Sequence, residues 1–139
     1  MSARDIYHNT VVEALKTDGW KITNDPLYLG YGGKHLYVDL GAEKTAIAAE
    51  KNGQKIAVEI KSFISLSPIN DLQIAVGQYE IYRSVLSELE SERLLDLAVN
   101  LKAYENIFQE KLGQLIINKI QLHLIIFDEK IRRIIKWIS

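Results

Sequence analysis

Apolar residues recur at helical offsets between Ala3 and Asp18, where Ile6, Val11, Val12 and Leu15 share one side. Ser2 is a suitable N-cap and Gly19 a suitable stop, so the pattern predicts a first helix. From Trp20 to Tyr37 the apolar pieces shorten to Trp20 with Ile22 and then Leu27-Tyr28-Leu29, broken by Asn24-Asp25-Pro26 and by Gly30, Gly32 and Gly33. Such punctuation predicts turns with at most short strands. Extended runs follow at Tyr37–Leu40, Thr45–Lys51 and Gln54–Phe63, and the last two flank Asn52-Gly53. Both residues of that pair tolerate the positive φ of a type I′ turn, which predicts a tight hairpin. Ser67-Pro68 reads as an N-cap with proline at the first helical position, and Leu72, Val76, Tyr79, Tyr82, Leu86 and Leu89 carry that helix to about Glu90. Leu94, Leu95, Leu97, Ala98 and Val99 form an apolar run expected of a strand covered on both faces. Tyr104, Ile107 and Phe108 predict a helix from about Lys102 with a break at Gly113, and Gln121–Phe127 and Ile131–Ile138 predict two last strands around Asp128-Glu129. The succession is that of an α/β (α+β) fold, a mixed sheet with helices on its faces.

Composition narrows the partners more than the fold. At 139 residues, 47% apolar and 25% charged, the chain can bury one ordinary core over 1–139, which excludes wholesale disorder. Without cysteine there is neither a disulfide framework nor a thiolate metal site. The absence of a basic-then-apolar leader, and of any apolar run near the roughly 20 residues a bilayer requires, leads to the expectation of a cytoplasmic protein with no membrane partner. Seventeen Lys and Arg against eighteen Asp and Glu give a net charge of −1, so affinity for nucleic acid has to come from a local patch.

Candidate chemistry lies in Val58-Glu59-Ile60-Lys61. Two residues apart on a strand, Glu59 and Lys61 project from one face. Asp39, in the preceding extended segment, offers a second carboxylate that the antiparallel return brings towards Glu59. Two carboxylates with a backbone carbonyl make a hard oxygen site suited to Mg²⁺ or Mn²⁺. An adjacent lysine can orient the attacking water or offset charge on a pentavalent phosphate. These are the components of phosphodiester hydrolysis. With a two-residue loop at Asn52-Gly53, Lys51 faces Gln54, Ala46 faces Glu59 and Lys44 faces Lys61, which leaves Glu50 roughly 13 Å from the site at about 3.3 Å per residue. Glu43 is close in register but leaves by the opposite face, whereas a bulge or bend at Gly41 would return Asp39 to the Glu59 face. Asp39 therefore ranks above Glu43, although it equally suits a turn acid before Gly41. An acid-x-lysine triplet by itself is also a common solvated pair on an exposed strand. Arg83, Lys44 and Ser62 flank the proposed site, and Arg132, Arg133 and Lys136 form a basic end that equally suits a protected edge strand. His8, His35 and His123 show no metal-ligand spacing. Tyr28, Tyr31 and Tyr37 beside Lys34 suit stacking on bases, although aromatic residues beside glycines more often pack the ends of a sheet.

The acid-x-lysine strand, its upstream acid and the helix that follows resemble the PD-(D/E)XK nuclease superfamily, with its restriction-endonuclease-like core of helix, three-strand meander, helix and strand; here a further helix and a C-terminal hairpin are added. The resemblance assigns Asp39 as first acid, Glu59 and Lys61 as the acid-x-lysine pair, and Ile60 as the intervening carbonyl, so that Asp39, Glu59 and Ile60 hold the metal. Val38 stands where the motif has proline. Gln78-x-x-x-Tyr82 resembles the Gln-x-x-x-Tyr element of the RecB-like branch, and its i, i+4 spacing puts both residues on one side of the helix. Over the full length, Val38–Lys44, Ala49-Glu50-Lys51, Ile56–Phe63, Gly77-Gln78-Tyr79 and Lys136-Trp137-Ile138 are similar to the XisH family, the fdxN element excision controlling factors of cyanobacteria. That resemblance implies action on DNA in the site-specific rearrangement that accompanies heterocyst development, with a recombinase and an XisI-like protein as partners. The alternative expectation is a non-catalytic nuclease-fold module that binds XisI or the recombinase, motivated by the near-neutral charge. A homodimer would suit a duplex target. A small-ligand-binding domain is disfavoured because the glycines make no Gly-x-Gly-x-x-Gly run before a helix.

Overall fold

The computed structural model describes residues 5–44 and 53–139. In chain order the elements are α1 (His8–Thr17), β1 (Lys21–Asn24), β2 (Leu27–Tyr31), β3 (Lys34–Val38), β4 (Leu40–Lys44), β5 (Gln54–Ile60) and α2 (Pro68–Leu89). They continue with β6 (Arg93–Asn100), α3 (Leu101–Ala103) running into a π-helical turn Tyr104–Phe108, α4 (Lys111–Ile120), β7 (Leu124–Asp128) and β8 (Arg133–Ile138). Six strands form one sheet in the order β1-β4-β5-β6-β7-β8, and β2 and β3 form a separate ribbon. The two central pairings, β5 with β6 and β6 with β7, are parallel and the others antiparallel, so the fold is a mixed sheet with helices, as the succession of elements predicts.

Alternation along the central strands sorts the core into two layers. Leu95, Leu97 and Val99 of β6 join Leu72, Ala75, Tyr79 and Leu86 of α2, Phe108, Ile117 of α4 and the ribbon residues Leu27, Leu29 and Val38. Ile56, Val58 and Ile60 of β5 face the other way, with Ala98, Phe127, Val11 and Leu15 of α1, and Trp20. Both faces of the centre are thus covered, which is why β6 reads as an unbroken apolar run. Helix α2 begins as expected: the Ser67 hydroxyl accepts from the Asn70 N–H and Pro68 occupies the first turn.

Three expectations change. Helix α1 starts at His8, with Tyr7 in the N-cap position and Ile6 exposed; Ser2 and Ala3 lie outside the described residues. The helical offset of Ile6 was insufficient because that residue has no layer to enter. Lys44 pairs with Gln54, the place expected of Lys51, and the expected run Thr45–Lys51 with Asn52 lies outside the described residues. Finally, the last helical region breaks at Gln109-Glu110, and Gly113 sits inside α4. A Cβ at Gly113 would stand 2.5 Å from the Phe108 Cα and closer still to the Ile107 carbonyl oxygen, so glycine here permits close approach of two backbone segments. We expect Gly113→Ala to lower stability by about 1–3 kcal/mol in chemical denaturation, despite alanine's higher helix propensity. A neutral or stabilising result would mean that the π turn can retreat at no cost.

Candidate functional site

The register of β4 on β5 decides which acids meet. Leu40 pairs with Val58, and one step earlier the chain bends at Asp39, between β3 and β4. Asp39 therefore lies opposite Glu59, and the two residues clasp each other: the Asp39 N–H donates to Glu59 Oε1 at 3.2 Å, and the Ile60 N–H donates to Asp39 Oδ2 at 2.8 Å. The bend sits at Asp39 itself and not at Gly41, which is paired within β4 where an added Cβ would stand 2.8 Å from Asn24 Oδ1 and 3.1 Å from an Arg93 guanidinium nitrogen. Because Ile56, Val58 and Ile60 face α1, Glu59 faces α2 and is 8% exposed. Burial, followed by the negative charge of Asp39 and a side-chain hydrogen bond with it, pushes the Glu59 carboxyl up to about 9.

Lys61 leaves β5 where its N–H donates to the Ala98 carbonyl, and its Nζ lies 3.8 Å from Asp71 Oδ1. Asp71 is buried in the first turn of α2, and its Oδ2 accepts from the Ser65 N–H. The ammonium group is thus drawn towards Asp71. Tyr82, half-buried on α2, has its hydroxyl pushed up to about 12, first by burial and then by the charges of Glu59 and Asp39. Gln78, one turn earlier, is exposed.

The fold brings Asp39, Glu59 and Ile60 together, with Tyr82 within their electrostatic reach and Lys61 next along the chain. Glu43 pairs with Lys55, and their charged groups are 3.9 Å apart, so it belongs to the far end of the hairpin and is no substitute for Asp39. Lys44 does not face Lys61: its Nζ is 3.8 Å from Asp18 and lies over the Trp20 ring. Arg83 also leaves the site, donating to the Ile120 carbonyl at the end of α4, pairing with Glu80 and covering the Tyr79 ring. Asp71 escaped the sequence reading. An acid in the first turn of a helix opened by Ser67-Pro68 is a helix-terminus signal, and only the fold carries it to Lys61.

Among the described residues no cluster of three or more His, Asp or Glu could hold a metal ion. The donor set is instead two carboxylates and the Ile60 carbonyl, hard oxygens that suit Mg²⁺ or Mn²⁺ with water completing the coordination. A cation would also offset the burial and the neighbouring Asp39 charge that together raise the Glu59 carboxyl.

The model of the XisH protein family matches residues 1–135. The chain belongs to the XisH family. Two solved structures agree over almost the whole length. An XisH family protein from Nostoc punctiforme is 39% identical with a TM-score of 0.88, covering 97% of this chain and 100% of its own. A protein from Anabaena variabilis described as an fdxN element excision controlling factor is 40% identical with a TM-score of 0.86, covering 98% and 100%. No curated protein matches. The span shared with the XisH family includes the Asp39–Glu59 clasp, Lys61 and Tyr82. No helix among the described residues of this family member is long and apolar enough to cross a membrane.

Proposed function

We propose that the chain is a DNA element excision controlling factor whose Asp39–Glu59 pair forms a metal-dependent endonuclease site of the PD-(D/E)XK type, in a restriction-endonuclease-like arrangement. The observation that carries this reading is the reciprocal clasp between Asp39 and the Glu59–Ile60 segment, which holds two carboxyl groups next to each other at the end of β5, one residue before Lys61. The description of the Anabaena variabilis protein supports the excision role. Asp39, Glu59 and the Ile60 carbonyl would hold Mg²⁺ or Mn²⁺. When bound, that ion supplies positive charge against the phosphate and makes a coordinated water more acidic. Lys61, released from Asp71, positions the nucleophilic water and balances the charge that develops on the phosphate oxygens. Tyr82 and Gln78 orient the lysine or a phosphate oxygen from the helix. Supercoiled DNA incubated with Mg²⁺ or Mn²⁺ is expected to be nicked by the unaltered chain and not by Glu59→Ala or Lys61→Ala. Cleavage that survives both substitutions would assign the activity elsewhere.

A second reading is favoured by the engagement of Lys61 with Asp71 at 3.8 Å: a nuclease fold serving as an interaction module for an XisI-like protein or a recombinase. It predicts no cleavage under any metal, and partner binding unchanged by Glu59→Ala and Lys61→Ala.

A further inference from the structure

The ribbon formed by β2 and β3 has two unlike faces. Leu27, Leu29 and Val38 are buried against the α2 layer, with Leu36 partly buried beside them. The opposite face carries Tyr28 paired across the ribbon with Tyr37, and Gly30 paired with His35. The two tyrosine rings are 5.5 Å apart, and the Tyr28 and His35 rings are 5.8 Å apart at 30°. A hydrogen bond of 2.8 Å joins the Tyr28 hydroxyl to His35 Nδ1. Gly30 makes room for this arrangement, because a Cβ there would stand 2.9 Å from Tyr28 Cζ and closer still to its hydroxyl oxygen. The rings are therefore laid over the ribbon and held there, yet Tyr28 is 50% exposed and Tyr37 55%. At the tip Tyr31 pairs with Lys34, and both are exposed.

The ribbon that carries this face leads along the chain directly into the candidate site. Strand β3 ends at Val38 and Asp39 follows immediately, so Tyr37 stands only two residues, roughly 7 Å of extended chain, from the first carboxylate. Flat π surfaces held in place, a lysine at the far end and a phosphodiester-directed site at the near end match one kind of ligand, a polynucleotide strand whose bases are unpaired. Bases in a duplex are already stacked on one another and present no free face to a ring, whereas unpaired bases gain by stacking on tyrosine.

We propose that the Tyr28–Tyr37–His35 face is a stacking platform for single-stranded DNA leading into the Asp39–Glu59 site. This inference rests on the endonuclease reading for its choice of ligand, but it is tested without cleavage. Fluorescence anisotropy of a labelled oligothymidylate, with EDTA present to prevent turnover, is expected to show tighter binding than to a duplex of equal length. Tyr37→Ala and Tyr28→Ala should each weaken single-strand binding roughly tenfold or more, leaving duplex binding unchanged. Tyr37→Phe, which keeps the ring, should restore it. Both side chains are on the surface, so circular dichroism is expected to match the unaltered chain. Equal or tighter binding to duplex, tighter binding to oligouridylate, unaltered affinity in the double Tyr28→Ala/Tyr37→Ala variant, or no binding to either polynucleotide would overturn the platform. Loss of metal-dependent nicking in Glu59→Ala with oligothymidylate affinity retained would separate the two sites. Nicking that ignores Glu59 would instead remove the endonuclease reading alone.

Discussion

Replacing Glu59 by glutamine is expected to abolish metal-dependent cleavage and, at the same time, to stabilise the metal-free protein at alkaline pH. The two effects share a cause. Glu59 is 8% exposed and lies against Asp39, so its charged form is disfavoured in the folded state, with a pKa raised from the ordinary 4.5 to about 9. A folded state that retains a proton released by the unfolded chain loses stability as pH rises from the unfolded value through the folded one. Each unit of such separation corresponds to about 1.4 kcal/mol. Thermal unfolding in EDTA should therefore show a melting temperature that falls between about pH 5 and pH 9. Asp96, buried on the opposite face and raised by burial to about 7, adds a decline in the same direction that ends nearer neutrality. Glutamine carries no charge to desolvate, and its amide oxygen can still accept from the Asp39 N–H, so Glu59→Gln should keep only the shallower part of the decline. Mn²⁺ should restore the unaltered chain at high pH and leave Glu59→Gln unmoved. A pH profile that is the same in both proteins would show that Glu59 is not held protonated by its surroundings.

Truncating Phe108 to alanine is expected to cost about 3–5 kcal/mol, the range for removing a fully buried phenylalanine. At a few degrees per kcal/mol for a chain of this size, the melting temperature should drop by roughly 10–20 °C. Phe108 is fully buried and meets Phe63 edge-on, with ring centres 5.5 Å apart at 81°. Phe63 follows Lys61-Ser62 and holds a φ of 53°, a left-handed conformation that a phenylalanine adopts only when its surroundings impose it. The substitution thus removes both core packing and the contact that fixes the chain just beyond Lys61. Nicking at low temperature, where the variant remains folded, should fall as well. A loss below about 1 kcal/mol would mean that the core collapses around the missing ring.

The residues that were legible in the sequence are those whose role follows from neighbours a few positions away. Ser67-Pro68 opens α2 because a hydroxyl cap and a residue lacking an N–H both suit a helix terminus. The apolar run of β6 declares a strand covered on two sides, and strand periodicity of two turns Glu59 away from the face that Val58 and Ile60 enter, whereas Lys61 lies just past the end of β5. The choice of Asp39 over Glu43 rested on face alone; its cause, a bend one residue before β4, was not written in the local pattern. Tyr82 and Gln78 have equal standing in the sequence, yet Tyr82 is half-buried within the electrostatic reach of the acids and Gln78 is exposed. Register was the main loss. Asn52-Gly53 suggests a partner for Gln54 at Lys51, yet Gln54 pairs with Lys44, in the register that buries Leu40 and Ala42 beside Ile56 and Val58.

By itself the chain therefore determined its element types, the apolar faces that become its two core layers, and the strand that carries Glu59, since each of these follows from short-range periodicity and capping. Tertiary structure alone decided that Asp39 clasps Glu59, that Asp71 draws in the Lys61 ammonium, and that Tyr28 and Tyr37 form an open platform ending at the acids. Those relations join residues far apart in sequence. Their distances depend on strand register and on layer packing, and no local propensity encodes either.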